Sequence, residues 1–363
     1  MRIHNRPDKF LFIIIIVLSL VGLFVFISAS LGLLNRDGAS FGLVALKQAS
    51  ILLFGFILMI LVSKIDFHFW QRWAMPIFVS SVLMTALVFV PGIGFEHGGA
   101  RRWLDIGPAS FQPSEFLKLG IIVFLATWYG VKKDRAQSVR FGLVPFLLVS
   151  AVAYLLLKYQ PDTGTFLVTA ITALGIFILA GARWRYLFLI LLLGVIAISI
   201  HIYQEPYAMN RIKTFLNPSN DITGSSYQIN QSMIAIGSGG LLGRGFGQSI
   251  QKFKFLPEPI GDSIFAVASE EFGFVGASLI VLLYLTFAAW GLKIMGKNSD
   301  PFGRLLGCGL VILITVQAFI NISAMLGLIP LTGVPLMFIS HGGSALLMAL
   351  LEAGIILNIS RYK

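Results

Sequence analysis

The chain has 363 residues, of which 57% are hydrophobic and 12% are charged, and its formal net charge at pH 7 is +11. This composition, with repeated apolar runs of about 20 residues, is typical of a polytopic membrane protein and excludes a soluble single-core domain. The basic residues form short clusters between the apolar runs, which indicates membrane orientation and no nucleic-acid partner. The single cysteine, Cys308, excludes an intrachain disulfide and a thiolate metal site.

The apolar runs predict an all-α polytopic membrane protein of about ten transmembrane helices in one domain, residues 1–363. The first run is long for a signal peptide, so we interpret it as an uncleaved anchor. The predicted spans are residues 10–27, 45–62, 74–90, 111–129, 142–157, 163–180, 186–202, 264–292, 305–325 and 340–357.

Lysine and arginine are concentrated in the loops on one side of these spans, so the positive-inside rule predicts that both termini are cytoplasmic. The long polar interruption, residues 203–262, is then a large outer loop between the seventh and eighth helices. Most ionisable residues within or near the spans fall in the outer half of the bilayer, with Glu352 as the exception. Since intramembrane charges usually face a cavity or a partner, we expect a polar cavity that opens outward.

Asp262 directly precedes the eighth predicted span, at the end of a segment that contains Pro257 and Pro259. An acidic side chain held there by a proline-stiffened loop can meet a lipid-linked substrate without being buried in hydrocarbon. Aspartate is also well suited to cap the helix predicted to begin at Ile264. The residues alone leave a catalytic role and a capping role open.

Three ionisable residues lie at the outer starts of predicted spans. Glu115 and Lys118 are three residues apart, so they share a helix face and can pair, either structurally or to hold Lys118 ready for a phosphate. Asp162 follows Gln160-Pro161 and is a candidate substrate-binding residue. Proline and an acid at a helix start are also ordinary amino-terminal chemistry, which is the alternative for Asp162.

Four basic residues are further candidates for binding the phosphates of a lipid. Arg101 and Arg102 lie beside Trp103 in a short outer loop and either anchor it at the headgroup level or bind pyrophosphate through their guanidinium groups. Arg244 lies in the glycine-rich run 237–247, and Lys252 follows it. This run lacks both a βαβ context and a P-loop lysine, so we expect its glycines to allow close backbone packing or approach to a ligand.

Several segments resemble the shape, elongation, division and sporulation (SEDS) family, the FtsW, RodA and SpoVE proteins. The wording of residues 245–253 and 358–362 is most similar to FtsW, whereas the absence of a long cytoplasmic tail leaves the RodA and sporulation branches open. The sequence departs from the family pattern at Pro259-Ile260-Gly261 and at His341. The matching segments are residues 99–103, 111–118, 160–165, 231–240, 256–258, 262–267, 270–271, 317–322 and 338–344.

The resemblance implies a peptidoglycan glycosyltransferase that polymerises lipid II at the outer face of the bacterial cytoplasmic membrane, in cell division. RodA-like elongation and a lipid II flippase are the alternatives. The resemblance places the family's catalytic aspartate on Asp262 and its paired acid and lysine on Glu115 and Lys118. It also implies a class B penicillin-binding transpeptidase and other division or elongation membrane proteins as partners.

One carboxylate and several cations are sufficient for this reaction. A base raises the nucleophilicity of the acceptor sugar hydroxyl, and cations stabilise the departing pyrophosphate without protonating it. Direct attack inverts the anomeric centre. Asp262 is expected to be the base or to hold a divalent ion, Mg²⁺ or Mn²⁺, together with substrate phosphates.

Overall fold

The computed structural model describes residues 6–35, 41–97, 100–106, 109–216 and 225–362. Over these residues the chain is mainly helical, with 3-10 turns at Leu31–Asn35 and Lys133–Gln137 and a π-helical turn at Val139–Leu143. The helices are α1 (Lys9–Ser30), α2 (Phe41–Val62), α3 (His68–Arg72), α4 (Ala74–Leu87), α5 (Pro113–Gly130), α6 (Val144–Tyr159), α7 (Thr163–Leu179), α8 (Trp184–Gln204), α9 (Pro206–Leu216), α10 (Ser225–Ser238), α11 (Gln251–Lys254), α12 (Ile264–Gly296), α13 (Pro301–Met325) and α14 (Gly343–Ile359).

Each predicted span coincides with one of the longer helices, so the predicted helical membrane fold is confirmed. By length and composition alone, six described segments can cross a membrane, and three shorter helices are also apolar. The six segments are Lys9–Leu34, Phe41–Val62, Val139–Tyr159, Trp184–Gln204, Ile264–Gly296 and Pro301–Met325. The cytoplasmic placement of the termini stays a prediction. Residues 1–5 and 363 lie outside the described residues, as do residues 217–224 of the predicted outer loop.

Several helices begin where a polar side chain caps an apolar run. Asp8 accepts a hydrogen bond from the amide of Leu11 at 3.0 Å at the start of α1. Asp300 does the same for the amide of Gly303 at 2.9 Å at the start of α13. The first turn of a helix has unpaired amides, so these aspartates satisfy donors that would otherwise be buried without a partner.

A small antiparallel sheet precedes α5 and was not predicted. It consists of β1 (Gly94–His97), β2 (Ala100–Ile106) and β3 (Ala109–Phe111), in the order β1-β2-β3. Arg101 and Arg102 therefore lie on a strand rather than in an irregular loop. The strands are short and lack a sustained apolar alternation, which is the signal by which a strand is predicted from sequence.

The core of the bundle surrounds α13, which packs against α5, α7, α12 and α14. Most residues of α13 are buried. By contrast, the apolar stretch of α8 has no buried residue, so the other described elements do not cover this helix.

Helix α12 is interrupted at Gly273, whose φ of 65° and ψ of −165° are not helical. The glycine-rich run pairs its backbone with this break: Phe274 N donates to Gly240 O at 2.8 Å, and Arg244 N donates to Glu270 O at 3.0 Å. The glycines thus provide the close backbone packing that the sequence leads us to expect.

Replacing Gly243 by alanine should destabilise the protein. Gly243 has φ +80°, and an added Cβ would lie 2.1 Å from the carbonyl oxygen of Glu271. We expect a loss of at least about 1–3 kcal/mol, the cost of backbone strain at such a position, measured by thermal unfolding in detergent. Gly237→Ala is the matched control, because no atom lies within 4 Å of its added Cβ. Equal stability of the two variants would contradict the packing described.

Candidate functional site

The chain between α13 and α14, residues 326–342, is irregular and partly buried, and we call it the α13–α14 segment. Buried backbone carbonyls need hydrogen-bond donors, and here side chains from several helices supply them. Donor and acceptor pairs are Gln317 Nε2 to Pro335 O at 3.3 Å, Asn321 Nδ2 to Val334 O at 2.8 Å, Arg211 Nη1 to Leu331 O at 2.6 Å, and Tyr284 Oη to Met337 O. The segment therefore joins α9, α12 and α13 at one place.

Asp262 lies at this junction and is held from two sides. Gln228 Nε2, on α10, donates to its Oδ1 at 3.1 Å and to Ser263 Oγ at 3.0 Å. Asn321 Nδ2 donates to the backbone carbonyl of Asp262 at 2.8 Å as well as to Val334. The residue at the N-cap of α12 is Ser263, so the structure does not support the capping alternative for Asp262.

The surroundings of Asp262 shift its pKa upward. Burial raises the pKa from 3.8 to about 6, and the nearby charge of Glu258 adds to this effect. The hydrogen bond from Gln228 and the positive charge of Arg211 oppose it. The carboxylate is ionised at neutral pH, yet its pKa is close enough to neutrality to suit a general base.

Asp262→Asn should stabilise the chelator-treated protein at neutral pH. Because the folded-state pKa exceeds the unfolded value, the wild-type protein loses stability as pH rises from about 4 to about 6, and the loss remains above that range. Asparagine does not ionise, so the variant should gain up to about 3 kcal/mol at pH 7.5, at about 1.4 kcal/mol per pKa unit, and almost nothing at pH 4. Thermal unfolding at both pH values measures this difference, and a gain independent of pH would contradict it.

Glu115 and Lys118 form the predicted pair. Their Oε2 and Nζ atoms are 2.9 Å apart, and each side chain is only 1% exposed. Lys118 Nζ also donates to Gln317 Oε1 on α13. Gln317 and Asn321 are four residues apart and share one face of α13, so Lys118 and Asp262 are attached to successive turns of the same helix. The two predicted parts of the site are thereby brought together.

Breaking the Glu115–Lys118 pair should show strong coupling. Either single alanine variant leaves one charge buried without its partner, at a cost of about 3–5 kcal/mol in a dry site. The Glu115→Ala, Lys118→Ala double variant should recover much of that stability, and it should remain inactive if Lys118 also contacts substrate. A double-mutant cycle of thermal unfolding measures the coupling, and additive losses would show that the two residues do not interact.

Three other predicted residues have contacts near the sheet. Arg101 Nε lies 3.2 Å from Glu96 Oε2, with both side chains about half exposed. Arg102 donates to the carbonyls of Gln160, at 3.0 Å, and Pro161, which connects β2 to the turn between α6 and α7. Asp162 accepts from the amide of Thr165 at 3.1 Å and from its hydroxyl at 2.9 Å. The structure therefore shows the helix-start role for Asp162.

The prediction that Lys252 binds pyrophosphate does not agree with the structure. Its side chain is fully buried, and its Nζ lies 2.6 Å from Glu271 Oε1 and 3.2 Å from Ser28 Oγ. A buried ammonium with such a partner secures the loop to α12 and α1 and is not accessible to a lipid headgroup. Arg244 is partly exposed but also has a carboxylate partner, Glu270 Oε1, at 3.4 Å.

Sequence reasoning missed three residues that hold the site. Gln228 and Arg211 occur within the predicted outer loop, where neither their spacing nor their type distinguishes them from other loop residues. Asn321 belongs to a segment that resembles the SEDS family, but its polar side chain within an apolar span was the only local signal.

The apolar helices and the buried polar junction between them define a multi-pass membrane protein with a candidate site built on α10, α12 and α13. A family profile described as a cell cycle protein, FtsW/RodA/SpoVE, matches residues 8–363. The chain belongs to this family, which confirms the resemblance to the SEDS proteins.

Two curated relatives cover almost the whole chain. Stage V sporulation protein E of Bacillus subtilis (strain 168) is 39% identical over 358 residues, covering 99% of this chain and 98% of the relative. A Geobacter sp. (strain M18) protein named "Probable peptidoglycan glycosyltransferase FtsW" is 34% identical over 361 residues, with coverage of 99% and 98%.

Solved structures show the same fold. A chain from a structure described as "Structural coordination of polymerization and crosslinking by a peptidoglycan synthase complex" superposes with a TM-score of 0.81, 28% identity and 98% coverage of both chains. The crystal structure of Thermus thermophilus rod shape determining protein RodA gives a TM-score of 0.72 with 26% identity and 98% coverage of both chains.

Proposed function

We propose that this protein is a peptidoglycan glycosyltransferase that polymerises lipid II at the outer face of the bacterial cytoplasmic membrane. The observation that carries the proposal is Asp262, a carboxylate with a pKa of about 6 that Gln228 and Asn321 hold at the start of α12. Relatives named as peptidoglycan glycosyltransferases support the same activity, and the FtsW relatives support a role in cell division.

The reaction needs one base and a set of cations. Asp262 takes the proton of the acceptor sugar hydroxyl, whose oxygen attacks the anomeric carbon of the donor disaccharide. The bond from that carbon to the polyprenyl pyrophosphate breaks at the same time, and the anomeric configuration inverts. Lys118 lies on α5, buried against Glu115 and Gln317, and acts only through its charge from the site interior, whereas Arg101 supplies positive charge from the sheet.

A divalent ion would fit these residues only if the protein and the substrate both supplied its ligands. Among the described residues, no group of three or more His, Cys, Asp or Glu side chains could hold a metal ion. Asp262, with Glu258 close by, matches the one or two protein carboxylates by which Mg²⁺ is usually bound beside substrate phosphates. When bound, Mg²⁺ or Mn²⁺ would neutralise pyrophosphate charge.

The proposal includes a transpeptidase partner. The peptidoglycan synthase complex that contains a similar chain couples polymerization to crosslinking, as its description states. We infer that this chain also binds a class B penicillin-binding protein, together with other division or elongation membrane proteins. Helix α8, whose apolar window has no buried residue, leaves a surface on which a partner's membrane span can pack.

Asp262→Asn should abolish polymerisation. Loss of a general base lowers turnover by about 10²–10⁴-fold, and asparagine retains the size of aspartate. The measurement is elongation of purified lipid II in detergent, with and without the transpeptidase; detergent has no leaflets, so a flippase would give no product. Asp105→Asn, an exposed carboxylate on β2, is the matched control and should retain activity. Normal glycan chains from a folded Asp262→Asn protein would refute the proposal.

A further inference from the structure

Arg211 is a cation near Asp262, and it is not among the site residues predicted from the sequence. It lies on α9, the helix that follows α8, and its charge acts on Asp262. Its Nη1 donates to Leu331 O at 2.6 Å, so the α13–α14 segment orients the guanidinium. The same segment binds Asn321, which holds the backbone of Asp262. Arg211 directly, and Asp262 through Asn321, are thus both attached to the α13–α14 segment.

The residues of α9 are of the kind that contact a lipid surface. Met209, Ile212 and Phe215 recur at helical spacing on a helix that also carries Arg211 and Lys213, which is the pattern of an amphipathic helix at a membrane surface. Arg211 is itself partly exposed.

Two cations predicted from sequence are fully buried within the protein. Lys252 is buried against Glu271, and Lys118 is buried against Glu115 and Gln317. Arg102 donates to the backbone carbonyls of Gln160 and Pro161, at the turn between α6 and α7. Arg211 combines a position beside Asp262, an orienting contact and partial exposure.

We propose that Arg211 binds a phosphate of the lipid-linked substrate beside Asp262. The guanidinium presents planar N–H donors that match phosphate oxygens, and its carbonyl contact with Leu331 reduces the loss of side-chain freedom on binding. This inference rests on the proposed function for the identity of the lipid. It places the pyrophosphate and the base on neighbouring elements of one rigid junction, within reach of one substrate.

The test compares Arg211→Gln with Lys213→Gln, which removes the same charge from an exposed position of the same helix. Both changes are made in Asp262→Asn protein, so that no turnover disturbs binding. The probes are a polyprenyl pyrophosphate and the corresponding neutral polyprenol in detergent. Arg211→Gln should weaken pyrophosphate binding by about 10- to 100-fold, the range for a lost charge-assisted hydrogen bond, without changing polyprenol binding. Lys213→Gln should change neither by more than about twofold.

A phospholipid headgroup offers the same phosphate chemistry, so a third probe separates the two sources. Phosphatidylglycerol should compete poorly with the pyrophosphate lipid, and equally for Asp262→Asn protein with and without Arg211→Gln. The assignment is wrong if Arg211→Gln lowers affinity for phosphatidylglycerol as much as it lowers affinity for the pyrophosphate lipid. It is also wrong if the Arg211→Gln protein binds the pyrophosphate lipid as tightly as the Lys213→Gln protein does.

Folding is checked by thermal unfolding of each variant. If Arg211→Gln does not fold, Arg211→Lys decides: it keeps the charge and a donor for Leu331 but loses the planar fork. It should bind the pyrophosphate lipid at least about threefold more weakly than wild type, and equal binding would overturn the proposal. Binding is measured without catalysis, so loss of the phosphate contact and failure of the polymerase assignment give separate results.

Discussion

The structure depends on satisfying the backbone of a segment that is neither helix nor strand. Within a bilayer, irregular backbone is tolerated only where protein or a polar cavity meets its hydrogen-bonding groups. The carbonyls of Pro335, Val334 and Leu331 in the α13–α14 segment accept hydrogen bonds from side chains outside it. The donors are Gln317, Asn321 and Arg211, respectively. The same polar side chains that stabilise the segment therefore converge on Asp262 and Lys118, and the stability of the fold and the geometry of the site have one origin.

A second set of buried polar contacts holds the loop between α8 and α12. Glu270 and Glu271 follow each other on α12, and their carboxylates accept bonds from the loop, from Lys252 and from Ser28 on α1. Charges buried in this way are tolerated only when paired, so each carboxylate needs the loop in place. Two residues that sequence analysis assigned to substrate, Arg244 and Lys252, thereby take part in shaping the loop.

The spans and the Glu115–Lys118 pair were predictable because their signals are local: an apolar run of membrane length, and a spacing of three on one helix. The contacts that complete the site were not, because they join distant parts of the chain. Arg211 and Leu331 are separated by 120 residues, and Gln228 and Asp262 by 34. A sequence shows that such residues are polar but not which carbonyl or carboxylate they meet. The sheet escaped prediction because its strands are too short for a periodic signal.

The break in α12 at Gly273 makes the glycine-rich run part of the hydrogen-bond network of this helix. A sharp change in the course of a helix has a specific cause, and here backbone groups of another segment take the place of the helix's own hydrogen bonds at a glycine. The first half, from Ile264 to Phe272, accepts hydrogen bonds from the amides of Arg244 and Gly245, whereas Phe274 and Val275, beyond the break, donate to the carbonyls of Gly240 and Leu241. The loop is therefore bonded to both halves of the helix at the break. A shift of the loop at this joint would therefore change the angle between the two halves of the helix that begins just after Asp262.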